Sequence, residues 1–252
     1  MKTAYSKNYQ LDYFDIDARL RLKPARIADI FQDLAIHHSA ALGYNLEWFM
    51  NEHKGWALLY WHIVIDRLPV NGDDIVISTW SRPYKRAQAD RSFSMKTKDG
   101  ETLVIAESRW ALMDTLKRRP ARLPADFYEA YNIPGTPVMP DETFEMPVCE
   151  EVHFVTERTL EVFRSDTDTN GHVNNAVYLE WALDDVPDSV YDEYKLSDIR
   201  VAYRKECRKG AYIKSQSYAR AVTESRTEIS SVFVDADDEE KIYCQVSAMW
   251  DR

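Results

Sequence analysis

One order of strand-like and helical runs occurs twice along these 252 residues, and that repetition restricts the fold more than any other feature. In the first half, a strand-like run over Ala4–Ile16 leads to Pro24, which suits the first turn of a helix. Ile27, Ala28, Phe31, Leu34, Ala35 and His38 then follow at helical spacing. Strand-like runs come next at Trp56–Asp66, Asp74–Tyr84, Ala87–Lys98 and Thr102–Asp114, with turns marked by Asn71-Gly72 and Asp99-Gly100. The second half repeats the series: a strand over Thr156–Arg164, Asn174 and Asn175 as N-cap to a helix over Ala176–Val186, then strands over Ser197–Lys205, Ala211–Ala219, Arg226–Asp235 and Lys241–Trp250. Two copies of β-α-β-β-β-β predict an α+β chain made by duplication, with its sheets joined side by side. The copies occupy residues 1–114 and 151–252. Between them, 115–150 holds six of the ten prolines, Pro120, Pro124, Pro134, Pro137, Pro140 and Pro147, and reads as a connector wrapped over the surface.

Composition removes several function classes. A formal net charge of −10 opposes non-specific nucleic-acid binding, which depends on neutralising phosphates. With only 7 glycines the chain has no GxGxxG or GxxxxGK[ST] cradle for a nucleotide. No apolar run approaches the ~18 residues of a membrane span, and the first residues lack the apolar core of a signal peptide. Cys149, Cys207 and Cys244 form no CxxC pair, so neither a disulfide framework nor a zinc site is expected, and a reducing cytoplasm fits.

Laid over each other, the copies differ where chemistry is concentrated. Asp17–Ala25 aligns without gaps with Asp168–Ala176, pairing Asp17 with Asp168, Arg19 with Asn170 and Arg21 with His172. Pairing Gly72 with Gly210 sets Leu68 opposite Glu206. A reactive site is therefore expected only in the second copy, leaving the first free to hold an apolar ligand. If the segment is extended, Asp168, Asn170 and His172 project in similar directions. Backbone N–H groups of Val173, Asn174 and Asn175, at a helix start, are candidate donors to an oxyanion.

The stretch SDTDTNGHVNNAVYLEW (165–181) resembles a motif of the acyl-acyl carrier protein thioesterases of plant plastids and many bacteria. Tyr203-Arg204-Lys205-Glu206-Cys207, followed by Gly210, resembles that family's second motif. WHIVIDRLPVNGDDIVISTW (61–80) and SRWALMDTLKRRPARLP (108–124) extend the likeness over nearly the whole chain. The resemblance implies a double hotdog fold, each antiparallel sheet wrapped around a long helix. It also implies hydrolysis of fatty acyl-acyl carrier protein, releasing free fatty acid and ending chain elongation. Carried over by position, Asp168, Asn170, His172 and Glu206 are the implied catalytic residues, and Cys207 was proposed as a nucleophile in older readings of the family. Neighbours in a strand face opposite sides, so only one of Glu206 and Cys207 is expected in the site, and a carboxylate can activate water. Glu206 or Asp168 would take the proton, with His172 and Asn170 orienting water and thioester. A thiol leaving group with pKa roughly 8.5 needs little acid assistance.

The helix carrying Ile27, Ile30, Phe31, Leu34, Ala35 and Leu42 is a candidate wall for an acyl tunnel. Basic clusters stand at Lys85-Arg86, at Lys117-Arg118-Arg119 with Arg122, and at Arg204, Lys205, Arg208 and Lys209; the last flanks Glu206 and is the expected dock for an acidic carrier protein. No cofactor or metal is expected, since His37, His38, His53, His62 and His153 lack ligand spacing and are read as structural or solvent-exposed. A monomer acting as its own pseudo-dimer, or a homodimer, fits a duplicated chain. Rival readings are a hotdog acyl-CoA thioesterase, a hotdog dehydratase and a non-catalytic acyl- or carrier-binding module.

Overall fold

The computed structural model describes residues 4–82, 87–131, 136–139, 144–147 and 152–252. Lys85, Arg86, Pro134, Pro140 and Cys149 lie outside them. Two compact units divide the chain, Met1–Phe144 and Glu145–Arg252.

In the first unit, β1 (Tyr5–Tyr9) precedes α1 (Pro24–Ala41) and a short α2 (Leu46–Asn51). β2 (Lys54–Ile65), β3 (Ile75–Ser81), β4 (Gln88–Thr97) and β5 (Thr102–Asp114) complete the sheet, and β6 (Arg119–Pro120) pairs with β5. All pairings are antiparallel, in the order β1-β3-β4-β5-β2. Pro24 opens α1 because its missing N–H has no partner to lose there, and the buried stripe from Ala25 to His38 faces the sheet. Phe31 stacks on Phe93 with centroids 5.0 Å apart, which pins the helix over β4.

Part of the proline-rich connector covers the opposite face of this sheet. Trp80 Nε1 donates to Thr136 O (2.9 Å), and Val138 N donates to the fully buried Glu107 (2.8 Å). β4 and β5 are consequently buried on both faces. The connector is not all surface wrapping, however. α3 (Ala125–Tyr131) drives Phe127 and Tyr131 into a cluster with Tyr44, Leu112 and Leu123. Its seven residues supply too few turns for a helical period to show among the prolines.

The second unit repeats the plan. β7 (His153–Glu161) leads to α4 (Asn175–Asp184) and α5 (Asp188–Glu193), and then to β8 (Lys195–Tyr203), β9 (Tyr212–Thr223), β10 (Arg226–Asp235) and β11 (Ile242–Asp251). Its order, β7-β9-β10-β11-β8, is strand for strand that of the first unit. α4 has 10 residues against 18 in α1. Pro187 explains the difference, because proline disfavours helical backbone in the residue before it. Tyr178 and Trp181 of α4 pack on Phe233 of β10, at 5.4 and 6.0 Å between centroids.

Candidate active site

The turn in the polar loop between β7 and α4 is organised by the Asp168 carboxylate. Asp168 Oδ1 accepts from the backbone N–H groups of Asn170 (2.8 Å) and His172 (3.2 Å), while Oδ2 accepts from Asn170 Nδ2 (3.2 Å). Gly171, at φ +73°, completes the reversal, and Asp168 N donates to His172 O at 2.8 Å. The loop is a turn, so Asp168, Asn170 and His172 are not set side by side by strand alternation as expected. They are gathered because an aspartate at the head of a turn satisfies nearby N–H groups better than an extended segment does.

Two of the three expected oxyanion donors are already engaged. Val173 N donates to Cys207 O (2.9 Å) and Asn174 N to Asp166 O (2.8 Å), which fixes the loop to the segment after β8 and to its own start. The Asn174 side chain caps α4 by accepting from Ala176 N at 3.2 Å, and Asn175 is the first helical residue, its carbonyl accepting from Tyr203 Oη at 2.9 Å.

Glu206 and His172 meet, 3.2 Å apart between Oε2 and Nε2. Their side chains are 52% and 22% exposed, so a ligand can reach both. Arg208 Nη2 stands 2.9 Å from the same Nε2, and an isolated antiparallel bridge joins the backbones of His172 and Arg208. A guanidinium only donates, so Nε2 accepts from Arg208 and the imidazole carries its proton on Nδ1 in this arrangement. Cys207 faces away: it is 3% exposed, and burial pushes its thiol pKa up despite a hydrogen bond with Tyr243. A buried neutral thiol is a poor nucleophile. The four residues of the expected basic dock are all exposed; Arg204 Nε donates to Gln245 Oε1 (3.0 Å) and Arg208 is turned to His172.

Sequence reasoning missed two contributors. Asp166 anchors the loop by accepting from Phe163 N at 2.7 Å, and its counterpart Asp15, two residues before Asp17, was the available signal. Arg208 was read only as a docking residue, although the Gly72/Gly210 pairing sets it opposite Val70, which pairs with Arg21 as Arg208 pairs with His172.

A family model described as acyl-ACP thioesterase N-terminal domain matches residues 2–131, and its C-terminal counterpart matches 150–252. Oleoyl-acyl carrier protein thioesterase 1, chloroplastic, of Arabidopsis thaliana is 26% identical over 227 residues, covering 84% of this chain and 63% of its own length. Palmitoyl-acyl carrier protein thioesterase, chloroplastic, of Gossypium hirsutum is 25% identical over 236 residues, covering 89% and 56%. The chain thus spans less than two thirds of either relative. Among solved structures, the 12:0-ACP thioesterase from Umbellularia californica superposes with a TM-score of 0.85 at 20% identity, over 98% of this chain and 93% of that one. An acyl-ACP thioesterase from Bacteroides thetaiotaomicron gives 0.82 at 22% identity, over 98% of each chain. At such identities the likeness establishes the fold, the α+β hotdog present in two copies.

Proposed function

The chain belongs to the acyl-ACP thioesterase family, and from that premise we propose that it hydrolyses the thioester of fatty acyl groups borne by acyl carrier protein, in the cytoplasm, releasing free fatty acid and ending elongation. The observation that carries this reading is the 3.2 Å approach of Glu206 to His172 at the mouth of the Asp168 turn, within the span matched by the family's C-terminal domain. Glu206 is the base in this proposal. Asp168 is the weaker candidate because its carboxylate already accepts from Asn170 and His172, whose positions it fixes. A positioned general base contributes about 10²–10⁴ in rate. Water is the nucleophile, Asn170 and His172 orient the reactants, and the pantetheine thiol leaves readily at a pKa of roughly 8.5. Lys205 and Lys209 lend local positive charge for an acidic carrier on a chain of net charge −10.

Free-thiol release from a panel of acyl-carrier proteins and the matching acyl-CoAs tests the proposal. Faster cleavage of the carrier substrates supports it. Preference for acyl-CoA would redirect it to a small-thioester hydrolase, and tight binding without turnover would make the chain an acyl- or carrier-binding module.

A further inference from the structure

Hydrolysis of a thioester through water needs a donor for the negative charge that develops on the carbonyl oxygen, and the expected donors at Val173 and Asn174 are bonded within the protein. Asn170 Nδ2 is turned back on Asp168 at 3.2 Å. His172 Nε2 accepts from Arg208, so in that state it has no proton to give. Arg208 is the charged donor beside the base. Its Nη2 lies 2.9 Å from the imidazole nitrogen that Glu206 Oε2 approaches to 3.2 Å, and the residue is exposed.

We propose that Arg208 is a further catalytic residue, the donor that holds the oxyanion, and that His172 positions it by accepting one of its N–H groups. The assignment rests on the thioesterase reading above. As Glu206 removes a proton from water, the hydroxide oxygen bonds to the acyl carbon and the carbonyl π pair moves onto oxygen, where Arg208 donates to it. Return of that pair breaks the C–S bond, and the departing thiolate takes the proton held by Glu206. The first repeat supports the assignment by contrast: Val70 occupies the place of Arg208 and Leu68 that of Glu206, so donor and base are both missing there.

Steady-state hydrolysis of acyl-carrier protein by Arg208→Met and Arg208→Lys tests it, together with binding of a carrier whose acyl carbonyl is replaced by methylene. Arg208 is exposed, so neither change removes core packing. The Met variant should lose about 100-fold in kcat, the scale of one oxyanion donor, with KM and affinity for the methylene carrier unchanged, and Lys should recover part of the loss. Nitrogen-15 NMR of His172 should show the proton on Nδ1 in the wild type and on Nε2, facing Glu206, in the Met variant. A raised KM with intact kcat would make Arg208 a docking residue and overturn the assignment, as would an unchanged tautomer. A wild type inert toward every carrier thioester would instead sink the thioesterase reading, and this assignment with it.

Discussion

The loop that follows the first strand is built by the same hydrogen bonds in both repeats, yet only the second sets a histidine beside a glutamate. Asp17 N donates to Arg21 O and Asp168 N to His172 O, each at 2.8 Å. Leu22 N reaches Pro69 O (2.8 Å) where Val173 N reaches Cys207 O (2.9 Å), and Lys23 N reaches Asp15 O where Asn174 N reaches Asp166 O, both at 2.8 Å. These bonds reproduce both pairings of the two sequences, Asp17–Ala25 with Asp168–Ala176 and, at a different offset, Leu68 with Glu206. The copies part in their side chains. Arg21 folds back on Asp17, with Nη2 3.0 Å from Oδ2, and closes the loop on itself. His172 turns outward to Glu206 and Arg208. The aspartate is therefore a requirement of the backbone, while the two copies part at the residues 172, 206 and 208, to which the proposal assigns the chemistry.

The sharpest way to break this comparison is at Glu206. Glu206→Gln should reduce kcat by about 10³, within the range of a general base, without moving the melting temperature, because the side chain is 52% exposed. The reciprocal Leu68→Glu should create no activity, since Arg21 and Val70 stand where His172 and Arg208 would be needed. Activity that survives Glu206→Gln but falls with Asp168→Asn would transfer the base to Asp168.

The two aspartates give the next test. Asp168→Ala should cost about 10²-fold in kcat by releasing Asn170 and His172, a loss in keeping with misplaced catalytic groups. Asp17→Ala should leave kcat unchanged and reduce stability by about 1–3 kcal/mol, because backbone donors of its loop lose their partner. Thermal melts beside turnover measurements separate the outcomes, and equal effects of both changes on turnover would show that the first loop serves the reaction after all.

Much of this plan is legible in the sequence, and where reading fails the cause is physical. The strands Thr102–Asp114 and Arg226–Asp235 are read to the residue, β-rich runs set off by turn signals. The helices α2, α3 and α5 leave no period, having six or seven residues each. In the site, the duplication locates Asp168, Asn170, His172 and Glu206, but not their geometry. An Asp-x-Asn-Gly turn overrides the extended backbone that alternation assumes. The engagement of Val173 N depends on Cys207 O, 34 positions further along, and a bond of that span has no local signature.

An arginine–histidine pair occurs in each unit, and the one in the first unit is buried. Arg91 Nη1 lies 2.8 Å from His38 Nδ1, which must accept. His38 is 3% exposed, and burial, reinforced by the Arg91 charge, lowers its pKa from 6.5 to about 3. The unfolded chain therefore binds this proton more readily than the folded one. Its contribution to stability is complete above pH about 6.5 and is lost progressively as pH falls toward about 3, at up to ~1.4 kcal/mol per pH unit. Chemical denaturation of wild type and His38→Gln across that window should show a shallower slope in the variant. Parallel slopes would show that His38 does not govern the acid sensitivity of the first unit.

The smallest effect concerns one backbone position where the loops agree in shape but not in residue. Leu20 has φ +58° and Gly171, its counterpart, φ +73°. Left-handed backbone costs a side-chain-bearing residue about 1–2 kcal/mol relative to right-handed backbone, and glycine essentially nothing. Leu20 is 56% exposed, so little burial offsets that strain. Leu20→Gly relieves it but admits more unfolded conformations, leaving a net gain of about 0.5 kcal/mol. Gly171→Ala introduces the strain alone, because no atom lies within 4 Å of an added Cβ, and should cost about 1 kcal/mol. If the turn must keep its shape for His172 to reach Glu206, Gly171→Ala also depresses kcat, whereas Leu20→Gly leaves it unchanged. Opposite signs in stability with an effect on turnover from only one loop would show that the two copies share a backbone and differ in what depends on it.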